Sequence, residues 1–188
     1  MLRILLIILI LKGTLMAIEE PKYTVIEKNE SFELRRYTPY VIAQTKVSGS
    51  FDDRDGEAFK ILFKYISGEN EKHSKIKMTA PVMEEMNSKN LENGFFSFVM
   101  PQEFSLSNLP IPLDKAIVLK TVSAKTIAVR RYSGGWGEEK YKKNEAILLD
   151  ALKEAKFKII SNPIFARYNS PFSLWFMRRN EIMVEVRR

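Results

Sequence analysis

Two periodicities divide this chain. Phe32 and Leu34 alternate with Glu33 and Arg35, and Ile182, Val184 and Val186 alternate with Glu181 and Glu185. Each alternation predicts a strand with one face in the core and the other in water. Val41 to Val47, rich in β-branched residues and followed by Gly49, predicts a further strand. Phe95 to Met100 is apolar on both sides, which predicts a central one. Helical spacing covers about 53–66 and 138–155. The first helix takes its N-cap from Asp52-Asp53 and stops at Ser67-Gly68 through a left-handed residue. Its apolar positions 58, 59, 61, 62, 63, 65 and 66 cover more than one face. Such a helix is buried on several sides or offers its surplus to something else. The second helix is amphipathic: Tyr141, Leu148, Leu152 and Ala155 form a stripe, and Lys142, Lys143, Glu145 and Lys153 face water.

The pattern repeats. Ile42-Ala43, Ser48-Gly49 and Phe51 recur 85 residues on as Ile127-Ala128, Ser133-Gly134 and Trp136, and Leu62-Phe63 fall against Ile147-Leu148. A duplication follows, with repeats over about 40–105 and 125–186, each reading as strand, helix and two further strands. Asn108 to Leu113, interrupted by Pro110 and Pro112, is an extended connection between them. The expected fold is α+β: an antiparallel sheet system curled into a distorted barrel, with two helices outside.

The N-terminus departs from that pattern. Arg3 precedes an unbroken apolar run from Ile4 to Leu11, followed by Lys12, Gly13 and a stretch ending at Ala17. The run is too short for a membrane-spanning helix, which needs roughly 20 apolar residues. Residues 1–17 read as a signal peptide, with an uncleaved anchor or a buried strand as the alternatives. The expectation is an exported protein, periplasmic or secreted, whose mature domain spans 20–188.

With 188 residues, 45% hydrophobic and 28% charged, the chain suits one domain or two fused halves around a common core. It has no cysteine, which excludes disulfides, thiolate metal sites and a cysteine nucleophile. The formal charge is +7, and removing Arg3 and Lys12 with residues 1–17 leaves about +5. Basic residues are scattered rather than gathered in a stripe with aromatics between them. That argues against nucleic acid and for a solvated surface biased toward anionic partners. With one histidine, most acid–base and nucleophilic machinery cannot be assembled, and no phosphate loop or His-Glu-x-x-His helix is present. Glu84 and Glu85, adjacent on a strand, point to opposite faces and cannot cooperate. A binding protein is expected, not an enzyme.

Three separated words carry a family resemblance. They are Lys75-Ile76-Lys77-Met78-Thr79-Ala80-Pro81-Val82, then Lys64-Tyr65 with Gly68 and Asn70, and Arg178-Arg179-Asn180-Glu181-Ile182. With Tyr37 and Ala43 in an opening hairpin, the chain resembles the SOUL/haem-binding-protein family over about residues 20–186. The resemblance implies that the first word is a signature strand. It also implies a pseudo-twofold barrel of two four-stranded antiparallel sheets flanked by two helices, related to gyrase-inhibitor and effector-binding domains. The implied ligand is haem or another tetrapyrrole. Haem needs apolar walls, cations for its propionates and usually an axial ligand. Phe59, Leu62 and Phe63 fall on the family's pocket helix, and Lys64 matches a basic position there. A second basic position falls on Gly56, with Lys60 one turn from Lys64, and a late-loop basic position falls on Ser173. The segment Phe172, Leu174, Trp175, Phe176 lies near the same pocket, with Trp175 as a candidate wall. His73 is the candidate axial ligand, while Met78, Met83 and Met177 read as core. Ordinary core packing is the competing reading of Phe59 and Leu62, and a solvated loop that of His73.

The resulting expectation is an exported haem or tetrapyrrole carrier or scavenger, binding weakly through an apolar pocket. Its partner is a small, apolar, planar ligand, with no nucleic acid and no stable membrane span after signal cleavage. Two alternatives stand beside it. One is a binder of another apolar small molecule or amphiphile; the other is a surface protein docking a protein or a membrane through residues 172–176.

Overall fold

A computed structural model describes residues 18–48, 55–87 and 90–188. The expected signal peptide and the Asp52-Asp53 cap lie outside the described residues. The chain opens with β1 (Tyr23–Lys28), β2 (Glu33–Tyr37) and β3 (Tyr40–Ser48). It continues through α1 (Asp55–Ser67), β4 (Val82–Asn87) and β5 (Asn90–Val99). After a connector come β6 (Val118–Val122), β7 (Lys125–Ser133), α2 (Glu138–Glu154), β8 (Lys158–Ile159) and β9 (Ile164–Arg167). A 3₁₀ turn at Trp175–Met177 and β10 (Arg179–Arg187) complete it.

The strands form two four-stranded antiparallel units, β6-β3-β5-β4 and β9-β10-β7-β2, joined edge to edge through β4 and β9. β1 extends the sheet beyond β2, and β8 pairs with β10. The arrangement is the pseudo-twofold α+β fold with two helices that the family resemblance implies. The two units are joined into one curled sheet, a half-barrel with β1 and β6 at its edges, where a barrel of two sheets was expected. Its register shows how the halves join. β2-β3 and β6-β7 lie 85 residues apart, yet β2 pairs with β7, setting Leu34 against Ala128, and β6 pairs with β3, setting Leu119 against Ala43. Each half therefore gives its first strand to the other.

Both faces of the sheet are covered. Under α1, Ala43, Leu62, Tyr65, Phe96 and Phe98 form one core; under α2, Leu34, Ala128, Leu148, Leu152 and Phe165 form another. A third fills the concave face, where Tyr37, Ile42, Met83, Val129, Ala166 and Met183 meet from both halves. This third core corrects the reading of β2 and β10. Arg35 and Glu181, expected in water, are 2% and 0% exposed. The Arg35 guanidinium donates twice to the Glu181 carboxylate, at 2.9 and 3.1 Å, and Glu181 also accepts from the Tyr168 hydroxyl and Arg179. Alternation identifies two faces of a strand, and in a curled sheet the polar one can line an interior.

Both helices end as the residue types dictate. Gly68, at φ +123, stops α1 in the left-handed region that suits glycine. Fully buried Asn70 then donates to the Tyr65 and Ser74 carbonyls, fixing the turn. In α2, Ala155 is the exposed C-cap rather than part of the buried stripe. Asn144 takes that place, accepting from Arg130 at 3.1 Å and donating to the Lys140 carbonyl. The signature word is a strap for most of its length. Lys75–Pro81 has no ladder partner, and β4 begins only at Val82. The strap is held by Ile76 N–H to the Ile66 carbonyl and by the Thr79 hydroxyl to the Val99 carbonyl. The connector after β5, expected to be extended over Asn108 to Leu113, turns at 106–108 and bends at Leu109 and Leu113, and touches the Asn70 turn at Ile111 and Pro112.

Candidate functional site

Helix α1 uses Ala58, Leu62, Tyr65 and Ile66 to face β3 and β5. Leu62 is 0% exposed, so its part is packing, not ligand contact. Tyr65 closes the same side: its hydroxyl donates to the Pro110 carbonyl at 2.8 Å, and burial pushes its pKa up to about 12. With that side complete, two large apolar side chains remain over. Phe59 and Phe63 are 36% and 47% exposed. Four residues apart, they lie one above the other, with ring centroids at 5.6 Å and planes at 14°. Phe59 also sets its ring against Phe98 of β5 at 5.3 Å. The result is an apolar ledge continuous with the core. Lys60 and Lys64 each follow one residue later, so they form the next row around the helix. Lys64 lies 3.8 Å from Glu69, with both side chains more than half exposed, an ion pair that water screens heavily.

From the ledge, ring contacts lead across the sheet. Phe98 meets Phe96 at 6.2 Å, the Arg167 guanidinium lies between Phe96 and Trp136, and Arg178 stacks on Trp136 at 4.4 Å. The Trp136 indole N–H donates to Asn180 at 2.9 Å. Arg167 is paired with Glu84 at 3.5 Å, both buried. Arg167 and Trp136 escaped the sequence reading because no periodicity marks them. The one available signal was that Trp136 is the repeat counterpart of Phe51.

Trp175 meets this succession through its carbonyl, which accepts from the Arg178 N–H. It is 63% exposed, in a loop with Phe172, Leu174, Phe176 and Met177, and it sets its ring edge against Phe176. His73 is exposed in the turn after α1, at φ 47, with its N–H on the Asn70 carbonyl. Among the described residues, no hydrogen bond or ring contact joins His73 to Phe59, Phe63 or Trp175. The structure thus unites Phe59, Phe63 and Lys64 on one helix and leaves Trp175 and His73 on separate loops.

Comparison with known proteins bears on the fold and the family. Residues 18–185 match the profile described as SOUL heme-binding protein. The chain is similar to heme-binding protein 2 of Mus musculus, 30% identical over 187 residues and covering 90% of each chain. Against heme-binding protein 2 of Homo sapiens it is 31% identical over 165 residues, covering 80% of each. Among solved structures, the C-terminal domain of EcmrR superposes with a TM-score of 0.63 at 10% identity, over 88% of this chain and 98% of that domain, a likeness of fold alone. On the match across nearly all of its described length, this chain belongs to the SOUL heme-binding protein family.

Proposed function

We propose that the chain binds haem, or a tetrapyrrole like it, on the Phe59–Phe63 ledge. The stacked, half-exposed phenylalanine pair carries this reading. A helix that has already filled its core-facing side gains little for the fold by leaving parts of two further aromatic rings in water. Covering them with a flat apolar partner recovers roughly 25 cal/mol per Å² of surface removed from water. Lys60 and Lys64 beside the rings suit the two carboxylates of such a ligand, through charge-assisted hydrogen bonds. His73 serves as the imidazole candidate for the iron. The names of the similar proteins support the same ligand. The binding is weak, because the ledge is open and its cations sit on flexible, solvated stems.

Haemin titration tests the proposal. A saturable Soret shift is expected, abolished by Phe59→Asp and weakened by a Lys60→Glu/Lys64→Glu pair. His73→Ala should alter the iron spectrum more than the affinity. No shift at micromolar haemin would remove the reading. A different apolar amphiphile could use the same ledge, and native mass spectrometry of protein from its own host distinguishes the two by the mass that co-purifies.

We read the role as carrier or scavenger rather than catalyst, since the lone histidine and absent cysteines leave little chemistry to assemble. Export rests on the pattern of residues 1–17, and N-terminal sequencing of the mature protein tests it by showing whether the chain starts after Ala17.

A further inference from the structure

Between β9 and β10 the chain makes an excursion that the ledge does not use. Phe172 is 95% exposed, and Leu174, Trp175, Phe176 and Met177 are each more than half exposed. Five large apolar side chains in six residues are too many for an ordinary solvated loop. The loop is also not slack. Its turns close through Ser173 N–H to the Ser170 carbonyl, Met177 N–H to the Leu174 carbonyl and Arg178 N–H to the Trp175 carbonyl. The Arg178 side chain donates to the carbonyls of Ser173 at 3.0 Å and Pro171 at 2.6 Å while stacking on Trp136. The apolar side chains are therefore presented by a backbone that bonds largely to itself, which entry into a lipid phase requires.

A second feature adjoins it. Phe176 and Met177 form one wall of a cavity of about 550 Å³ whose basic residues are Lys28, Arg131, Arg178 and Arg179. Two of these cations are already matched: Lys28 pairs with Glu33, and Arg179 with Glu20 and Glu181. Arg131 has no carboxylate partner among the described residues, and Arg178 is bonded only to carbonyl oxygens. Two uncompensated guanidinium groups thus stand directly behind the apolar finger, on a chain of formal charge +7. Their chemistry is that of phosphate recognition. An apolar tip with arginines at its base matches the cross-section of an anionic bilayer, where acyl chains lie beneath a layer of phosphates. We propose that residues 171–177 form a docking finger for anionic phospholipid membranes, with Phe172, Leu174 and Trp175 entering the acyl boundary and Arg131 and Arg178 meeting the headgroups.

The test uses the full chain and vesicles whose acyl chains carry bromine, which quenches tryptophan on contact. The apolar N-terminal run contains no tryptophan, and Trp136 is half-buried and bonded to Asn180, so quenching that is lost in Trp175→Phe reports Trp175. Quenching is expected on vesicles of equal parts phosphatidylcholine and phosphatidylserine, and should be at least several-fold weaker on phosphatidylcholine alone. The pair Phe172→Ser/Leu174→Ser should abolish it with haemin titration unchanged, and Arg131→Glu should weaken it. Vesicle binding without quenching would mean that another segment tethers the chain, and it overturns the finger. Equal quenching on both lipids overturns the headgroup contact. If the Phe172→Ser/Leu174→Ser variant loses haemin binding while quenching persists, the loop belongs to the ligand site and the proposal fails. The haem reading is judged separately, by Phe59→Asp.

Discussion

Arg35 illustrates what a single position can hide. Beside Leu34 on an alternating strand it reads as a solvated cation, yet it lies inside the curl, bonded to Glu181 and stacked on Tyr23 at 4.4 Å. Removing one partner of a buried pair leaves an uncompensated charge, so Arg35→Met should cost about 3–5 kcal/mol. Arg35→Met/Glu181→Leu, which removes both charges, should recover only part of that loss, because Glu33 loses Arg35 while Tyr168 and Arg179 lose Glu181. Urea denaturation of the three proteins measures the cycle, and equal destabilisation by the single and double variants would contradict it.

Tyrosines give a second test at this scale. Burial raises Tyr37 and Tyr65 to about 12 and pushes Tyr40, Tyr132 and Tyr141 higher still. The unfolded chain releases these protons near pH 10. The folded state therefore holds more protons than the unfolded one above that pH, and stability falls as pH rises. The stabilisation should be complete below about pH 10 and lost progressively through about pH 12. The urea midpoint against pH, with tyrosinate absorbance followed in parallel, measures this. A flat midpoint up to pH 12 would show that these hydroxyls are not buried as described.

Elements were more legible than residues. Both helices lie close to the positions that the 3.6-residue spacing predicts, and the excess of apolar positions on α1 resolves into a filled inner side and an exposed pair. Spacing could not tell Leu62 from Phe63, because membership of a stripe depends on which strands the helix meets. The strap at Lys75–Pro81, which the family resemblance implies to be strand, forms no ladder because no strand lies alongside to pair with it. The division of α1 makes a contrast that stability measurements can see. Leu62→Ala empties a fully enclosed site and should cost about 2–5 kcal/mol. Phe63→Ser, on the exposed row, should stay within about 1 kcal/mol of the parent, and its cost should appear in haemin affinity instead. If Phe63→Ser destabilised the protein as much as Leu62→Ala, the ledge would be core, and the proposed ligand site would lose its basis.

At the scale of the molecule, an 85-residue offset in the sequence could not say how the two sheet units interlock. A repeat states which segments are alike and is silent on which of them pair. Here β2 completes the second half and β6 the first, so neither half contains its own full sheet. The concave core is built from both, with Ile42 and Met83 meeting Val129 and Met183. A fragment covering residues 18–113 is large enough for a domain, since chains below about 40 residues are those that usually need outside support. Even so, it would hold β2 without β7, β3 without β6 and β4 without β9. Expressed alone, it should show no cooperative unfolding transition, and the complementary fragment 114–188 should show none either. Mixed in equal amounts, the two should regain β-sheet circular dichroism, because every missing ladder is then supplied. Cooperative unfolding of fragment 18–113 by itself would mean that the exchanged strands contribute little, and that each half carries the information for its own core.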